Sequence, residues 1–90
     1  MKFLSTGSFV PPRRMTNQDF EKIVDTSDQW IVERTGIHAR HVAEEETTLT
    51  MAMAAAKQAM EGVDPSAICL VLVATFTPDQ ATPSVASQLQ

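Results

Sequence analysis

The sequence predicts an α/β chain, and two features carry that prediction. One is Ile68-Cys69-Leu70-Val71-Leu72-Val73-Ala74, an unbroken apolar run of strand length. It lacks alternating polar residues, as expected of a strand covered on both faces inside a sheet. The other is a set of segments with helical spacing, each with recognisable start and stop residues, separated by extended stretches.

From the start, Lys2 to Val10 reads as a short strand that ends at Pro11-Pro12, where two ladder donors are missing. Gly7 inside it marks a close backbone approach or a bulge. Thr16 followed by Asp19 has the form of a capping box, so a helix is expected over 17–24 with Phe20, Ile23 and Val24 buried. In Asp25 to Gly36, either Thr26 or Ser27 is placed to cap a second short helix, and Gly36 supplies its left-handed stop. Ile37 to Val42 reads as extended, and Glu44, Glu45 and Glu46 as an acidic solvated loop. Thr47 or Thr48 opens a third helix. Its Leu49, Ala52, Met53, Ala56, Ala59 and Met60 share a face, while Met51, Ala54 and Ala55 extend the apolar surface beyond it. Gly62 ends that helix. The loop from Thr75 to Pro83 holds two prolines, and 84–90 has the composition of a helix's opening turns. Ninety residues make one small domain at most, and they do not readily cover both faces of the 68–74 run. The chain is therefore expected to be an incomplete domain, truncated at its C-terminal end.

Composition narrows the function. Hydrophobic residues at 43% and charged residues at 20% are ordinary for a globular chain. A formal charge of -4, with the cations scattered, is the wrong balance for a nucleic-acid partner. Ser5, Thr6, Gly7 and Ser8 interrupt the first apolar patch too early for a signal peptide, and no run is long enough for a membrane span. With the unpaired Cys69, this points to the cytoplasm.

Few residues invite a chemical reading by themselves. Cys69 lies in the apolar run, where nothing lowers a thiol's pKa, and is expected to be inert core packing. His38 and His41 are three apart in an extended stretch and fall on opposite faces, so they are not expected to share a metal. No metal site is predicted. Arg13 and Arg14 read as a solvated pair on a loop. Trp30 in a short amphipathic helix would ordinarily pack in a core, and Arg34 one turn later would be solvated or ion-paired.

One string is far more specific than any of these. Thr6-Gly7-Ser8-Phe9-Val10-Pro11, Thr16-Asn17 with Phe20-Glu21, then DTSDQWIVERTGI and Arg40-His41 follow in an order and spacing similar to the start of β-ketoacyl-acyl-carrier-protein synthase III. LVLVATFTPDQATPSVASQLQ resembles the same family's strand, loop and following helix, so the likeness extends over essentially the whole chain. It implies a thiolase-like layered α-β-α-β-α fold, of which this would be the N-terminal part. It also implies an acyl-CoA primer and an acyl carrier protein as partners, a homodimer, and no cofactor beyond the coenzyme A thioester substrate. In that family Trp30 would stack on the adenine of coenzyme A, and Arg34 and Thr26 would hold the nucleotide end. Those residue types suit the task, since an indole offers stacking area and a guanidinium pairs with phosphate. Thr26 has the helix cap as its alternative role.

The resemblance further implies acyl transfer to a cysteine, followed by attack of the carbanion from malonyl-acyl-carrier-protein decarboxylation, with His and Asn stabilising the enolate. Those catalytic residues would lie beyond Gln90, so none is assigned here and the ninety residues alone are expected to be inactive. In the family the residue before the loop proline enters the partner subunit's acyl pocket, and some members carry Phe there. Thr82 occupies that position, which implies a deeper pocket and a primer longer than acetyl. The alternatives are another acyl-CoA-primed thiolase-like synthase, or a module that binds coenzyme A or a protein partner without chemistry.

Overall fold

Thr16 ends a strand and opens a helix, and its side chain serves the second role. Its hydroxyl accepts the Asp19 backbone N–H at 3.3 Å, and the Asp19 carboxylate accepts the Thr16 N–H at 2.9 Å. This reciprocal pair is the capping box expected from the sequence. It starts α1 (Asn17–Glu21), preceded directly by β1 (Arg14–Thr16). The helix stops at Glu21, short of the expected Val24, and Ile23 and Val24 are exposed rather than buried. Phe20 is half-buried under the Arg40 guanidinium, 4.9 Å from its ring centroid.

The computed structural model of the chain describes residues 2–90, in two compact units. Val10–Glu44 is one of them. In it, α2 (Asp28–Thr35) follows α1, and β2 (Ala39–His41) pairs antiparallel with β1 in the register Arg14 to His41, Met15 to Arg40 and Thr16 to Ala39. Arg14 is therefore a strand residue, whereas a loop was expected, and Arg13 lies 3.5 Å from Glu44 in an exposed ion pair. Beside this ribbon, His41 Nδ1 lies 2.7 Å from the carbonyl oxygen of buried Pro11. A carbonyl only accepts, so that nitrogen carries a proton.

The other unit joins the residues up to Phe9 with Glu45–Gln90. Its longest element is α3 (Thr48–Ala59), capped by Thr47, whose hydroxyl accepts the Thr50 N–H at 3.2 Å. Six consecutive residues, 51–56, are half-buried, so α3 is covered on more than one side. The first segment lies along it. Ser5 Oγ donates to the Ala59 carbonyl, and the Gln58 side chain accepts the Ser8 N–H at 2.7 Å. Gly7 makes the close approach that its position suggested. A Cβ there would sit 2.6 Å from the Ala59 nitrogen and nearer still to the Ala55 carbonyl oxygen. The 2–10 stretch pairs with no other strand among the described residues, contrary to the strand expected there.

After a 3-10 turn (Pro65–Ala67) the apolar run leads to α4 (Val85–Leu89), where Val85 is buried. The run makes no ladder either. Val71 and Val73 are half-buried, while Ile68, Leu70 and Leu72 on the opposite face are 44%, 70% and 83% exposed. Coverage on both faces is thus not met within the described residues. Cys69 is likewise exposed rather than packed in a core, since the half-burial of Val71 and Val73 on its side of the run does not extend back to it. No helix is long and apolar enough to cross a membrane among the described residues.

Candidate functional site

Helix α2 presents the residues of interest, and its ends are defined by four local contacts. Ser27 is the cap, its hydroxyl accepting the Trp30 N–H at 3.1 Å. The Glu21 carboxylate accepts the Asp28 N–H at 2.7 Å, satisfying another of the donors a helix start leaves open. At the far end Gly36 adopts φ 71° and donates to the Val32 carbonyl at 2.8 Å. The Thr35 hydroxyl folds back onto the Ile31 carbonyl at 2.7 Å. The sequence-expected cap and stop are therefore present, with Ser27 taking the role that Thr26 could also have filled.

The two sides of α2 differ sharply. Ile31 turns inward with 7% exposure, while its neighbour Trp30 is 53% exposed. Trp30 is therefore not the core residue that an isolated helix would suggest. Arg34, one turn on, places its guanidinium carbon 5.2 Å from the indole centroid. This is a cation–π contact that also holds two flat groups side by side at the surface.

Next to Trp30 lies an open concavity of about 310 Å³, lined by Asp25, Thr26, Ser27 and Trp30. Thr26 is half-buried there. Since Ser27 caps the helix, the Thr26 hydroxyl is left without a hydrogen bond among the described residues. Trp30 thus links the other two: Thr26, just before the helix, shares the concavity with it, and Arg34 lies against its ring, giving an aromatic plane, a fixed positive charge and an available hydroxyl. Such a set suits a flat heterocycle that carries anionic groups.

A residue that sequence reasoning missed supports this face from inside. Asn17 is completely buried. Its Nδ2 donates to Asp28 Oδ1 and to the Ile37 carbonyl, each at 2.8 Å, and its backbone N–H donates to the His38 carbonyl at 3.2 Å. At the first position of a helix an Asn reads merely as a helix opener, so no local pattern could have revealed these bonds.

Thr82 belongs to the other unit. It is exposed in the loop before α4, joined to Pro83 by a cis peptide bond. The loop is fastened to the start of α3 through Asp79, whose two carboxylate oxygens accept the Thr48 and Leu49 N–H groups at 3.0 and 3.1 Å. The Thr48 hydroxyl completes the attachment by donating to the Thr77 carbonyl at 2.6 Å.

This architecture matches solved condensing enzymes closely. The 3-oxoacyl-acyl-carrier-protein synthase III of Aquifex aeolicus superposes on 98% of the chain with a TM-score of 0.94 and 46% identity. The priming β-ketosynthase of the R1128 polyketide pathway superposes on 98% with a TM-score of 0.92 and 38% identity. The class of fold is therefore α/β and thiolase-like. Among curated relatives, the β-ketoacyl-acyl-carrier-protein synthase III of Rhizorhabdus wittichii is 51% identical over 97% of the chain, and that of Acholeplasma laidlawii is 47% identical over 100%. Sequence and fold together relate the whole chain to β-ketoacyl-acyl-carrier-protein synthase III. No family model matches it. The chain spans 28% and 30% of the length of those two curated relatives, and 29% of the Aquifex protein.

Proposed function

We propose that this chain supplies the coenzyme-A-handling face of a condensing enzyme that joins an acyl-CoA primer to malonyl-acyl-carrier-protein with loss of CO2. The product would be a 3-oxoacyl-acyl-carrier-protein, the first condensation of fatty-acid synthesis. The observation that carries this reading is the exposed Trp30 with Arg34 against its ring, beside the Thr26 concavity. An indole left half-open to water by a helix that buries its neighbour is available for stacking on a purine. Arg34 would meet the anionic groups of the nucleotide, and the Thr26 hydroxyl would add a hydrogen bond. Acyl transfer and decarboxylation would be carried out by residues outside these ninety, in a cytoplasmic homodimer, with Thr82 entering the acyl pocket of the partner subunit.

A second reading has its own support. The likeness to a priming ketosynthase of a polyketide pathway favours an enzyme that uses the same coenzyme A face with a different primer. Steady-state assays of the gene product carrying this chain, at its natural length, test both. Acyl-CoA consumption that depends on malonyl-acyl-carrier-protein supports condensation, and the primer accepted separates the two pathways. Absence of acyl-carrier-protein-dependent turnover with every primer would overturn the proposal.

A further inference from the structure

We propose that Asn17 is a positioning residue for the coenzyme A site, acting as a buried clamp that joins the two ends of α2. This rests on the reading of Trp30 and Arg34 given above. Asp28 is the first residue of α2, and Ile37 is the residue after its Gly36 stop. The two protons of one Nδ2 reach both of them, each at 2.8 Å. A single amide group thus ties the first residue of α2 to the chain that follows its stop.

The orientation of that amide is fixed by its surroundings. Asp28 Oδ1 and the Ile37 carbonyl are both acceptors, so exchanging the amide's oxygen and nitrogen would set an acceptor against two others. Oδ1 is left buried without a partner among the described residues. An amide that leaves a buried acceptor unpaired gives up part of its stabilising value. What it retains is geometry. The Asn17 backbone N–H adds a third tie, to His38, so the segment after α2 is held at two successive residues.

The clamp matters because, beside it, α2 is held mainly by the Glu21 carboxylate on the Asp28 N–H and by one buried side chain. The helix is eight residues long, too short to be stable alone, and Ile31 is its one buried side chain. Trp30 and Arg34 project outward from it and cannot set its orientation. An alignment error of an ångström at a binding group is enough to weaken a ligand's fit substantially. Asn17 touches no ligand in this scheme. It sets where Trp30 and Arg34 stand.

The test uses the natural-length gene product with Asn17→Ser, Asp28→Ala and Asp28→Asn. Asn17→Ser is too short to reach both ends, Asp28→Ala frees the first end, and Asp28→Asn retains an acceptor that Asn17 can use. Calorimetry with coenzyme A should give about tenfold weaker binding for Asn17→Ser and Asp28→Ala, with part of that loss regained in Asp28→Asn. Acyl-CoA KM should rise while kcat at saturation holds. Hydrogen exchange should quicken at the α2 amides of Ile31 and Gly36 but not in α3.

Unchanged α2 exchange in both weakened variants would overturn the clamp. So would wild-type coenzyme A affinity in them when Trp30→Ala binds weakly. If Trp30→Ala also binds normally, the coenzyme A reading itself fails and takes the positioning role with it, while exchange still reports the clamp separately. Should Asn17→Ser fail to fold, Asp28→Ala decides the matter.

Discussion

Asp79 and Thr48 are thirty-one residues apart, yet the carboxylate of one accepts the backbone N–H of the other at 3.0 Å. With the second oxygen on Leu49, Asp79 caps α3 from a distant loop, in addition to the local cap provided by Thr47. Negative charge at a helix start is favourable twice over, through open N–H groups and through the helix dipole. Asp79→Ala should therefore cost about 1 kcal/mol, measured by denaturant titration. Hydrogen exchange should rise first at Thr48, Leu49 and the 75–83 loop.

Two glycines should respond differently to substitution. Gly7→Ala places a methyl group against the backbone of Ala55 and Ala59, neither of which is a movable side-chain tip, so a loss of about 1–3 kcal/mol is expected. Gly36 has open space around it, and what it needs is its φ of 71°. Gly36→Ala should cost about 1 kcal/mol, and Gly36→Asn should recover part of that because Asn tolerates the left-handed region. Thermal melts of the three variants distinguish crowding from backbone strain.

The acid limb of stability should depend on Asp19. Hydrogen bonds from the Thr16 backbone N–H and hydroxyl, aided by the charges of Lys22 and Arg13, hold its carboxyl below the usual 3.8. A folded-state pKa lower than the unfolded one stabilises the fold above the unfolded value, and the effect disappears as pH falls through the folded value. Asp19→Asn should therefore flatten the loss of stability below 3.8 and lower stability at neutral pH. Denaturant midpoints measured from pH 2 to 7 give both slopes.

Much of this fold was legible because short polar signals act locally. Thr16 with Asp19, Ser27 with Gly36, and Thr47 each mark a helix end by a bond that spans only a few residues. The β1–β2 ribbon was not legible. Arg-Met-Thr and Ala-Arg-His are too short to show alternation, and their pairing is decided by a register between distant residues. The 68–74 run misled in the other direction, since apolar composition states a demand for cover without saying that the cover is at hand. Of the candidate site, residue types were readable, but Trp30's exposure, Thr26's release by Ser27 and Asn17's reach were three-dimensional facts.

Removing the aromatic plane should separate binding from folding. Trp30→Ala and Arg34→Ala should each weaken coenzyme A binding, by about 5- to 150-fold for the indole, the range of a lost base stack of ~1–3 kcal/mol. Both positions are exposed, so unfolding free energy should stay within about 0.5 kcal/mol of wild type. Calorimetry and denaturant titration on the same preparations make the comparison.

The loop before α4 offers a test of primer choice. Thr82→Phe adds bulk where the proposed acyl pocket is reached, and should shift preference toward shorter acyl-CoA primers. Competition assays with a series of chain lengths read this directly, and an unchanged profile would remove Thr82 from the pocket.

Positions 30 and 31 are joined by one peptide bond and face opposite ways. A change at Ile31 is a change in whether the chain holds together, because that side chain is buried. A change at Trp30 alters only what the surface meets. Ligand preference at the proposed coenzyme A face could therefore be engineered in single steps that leave the scaffold's stability almost untouched, provided that each step falls on the outward side.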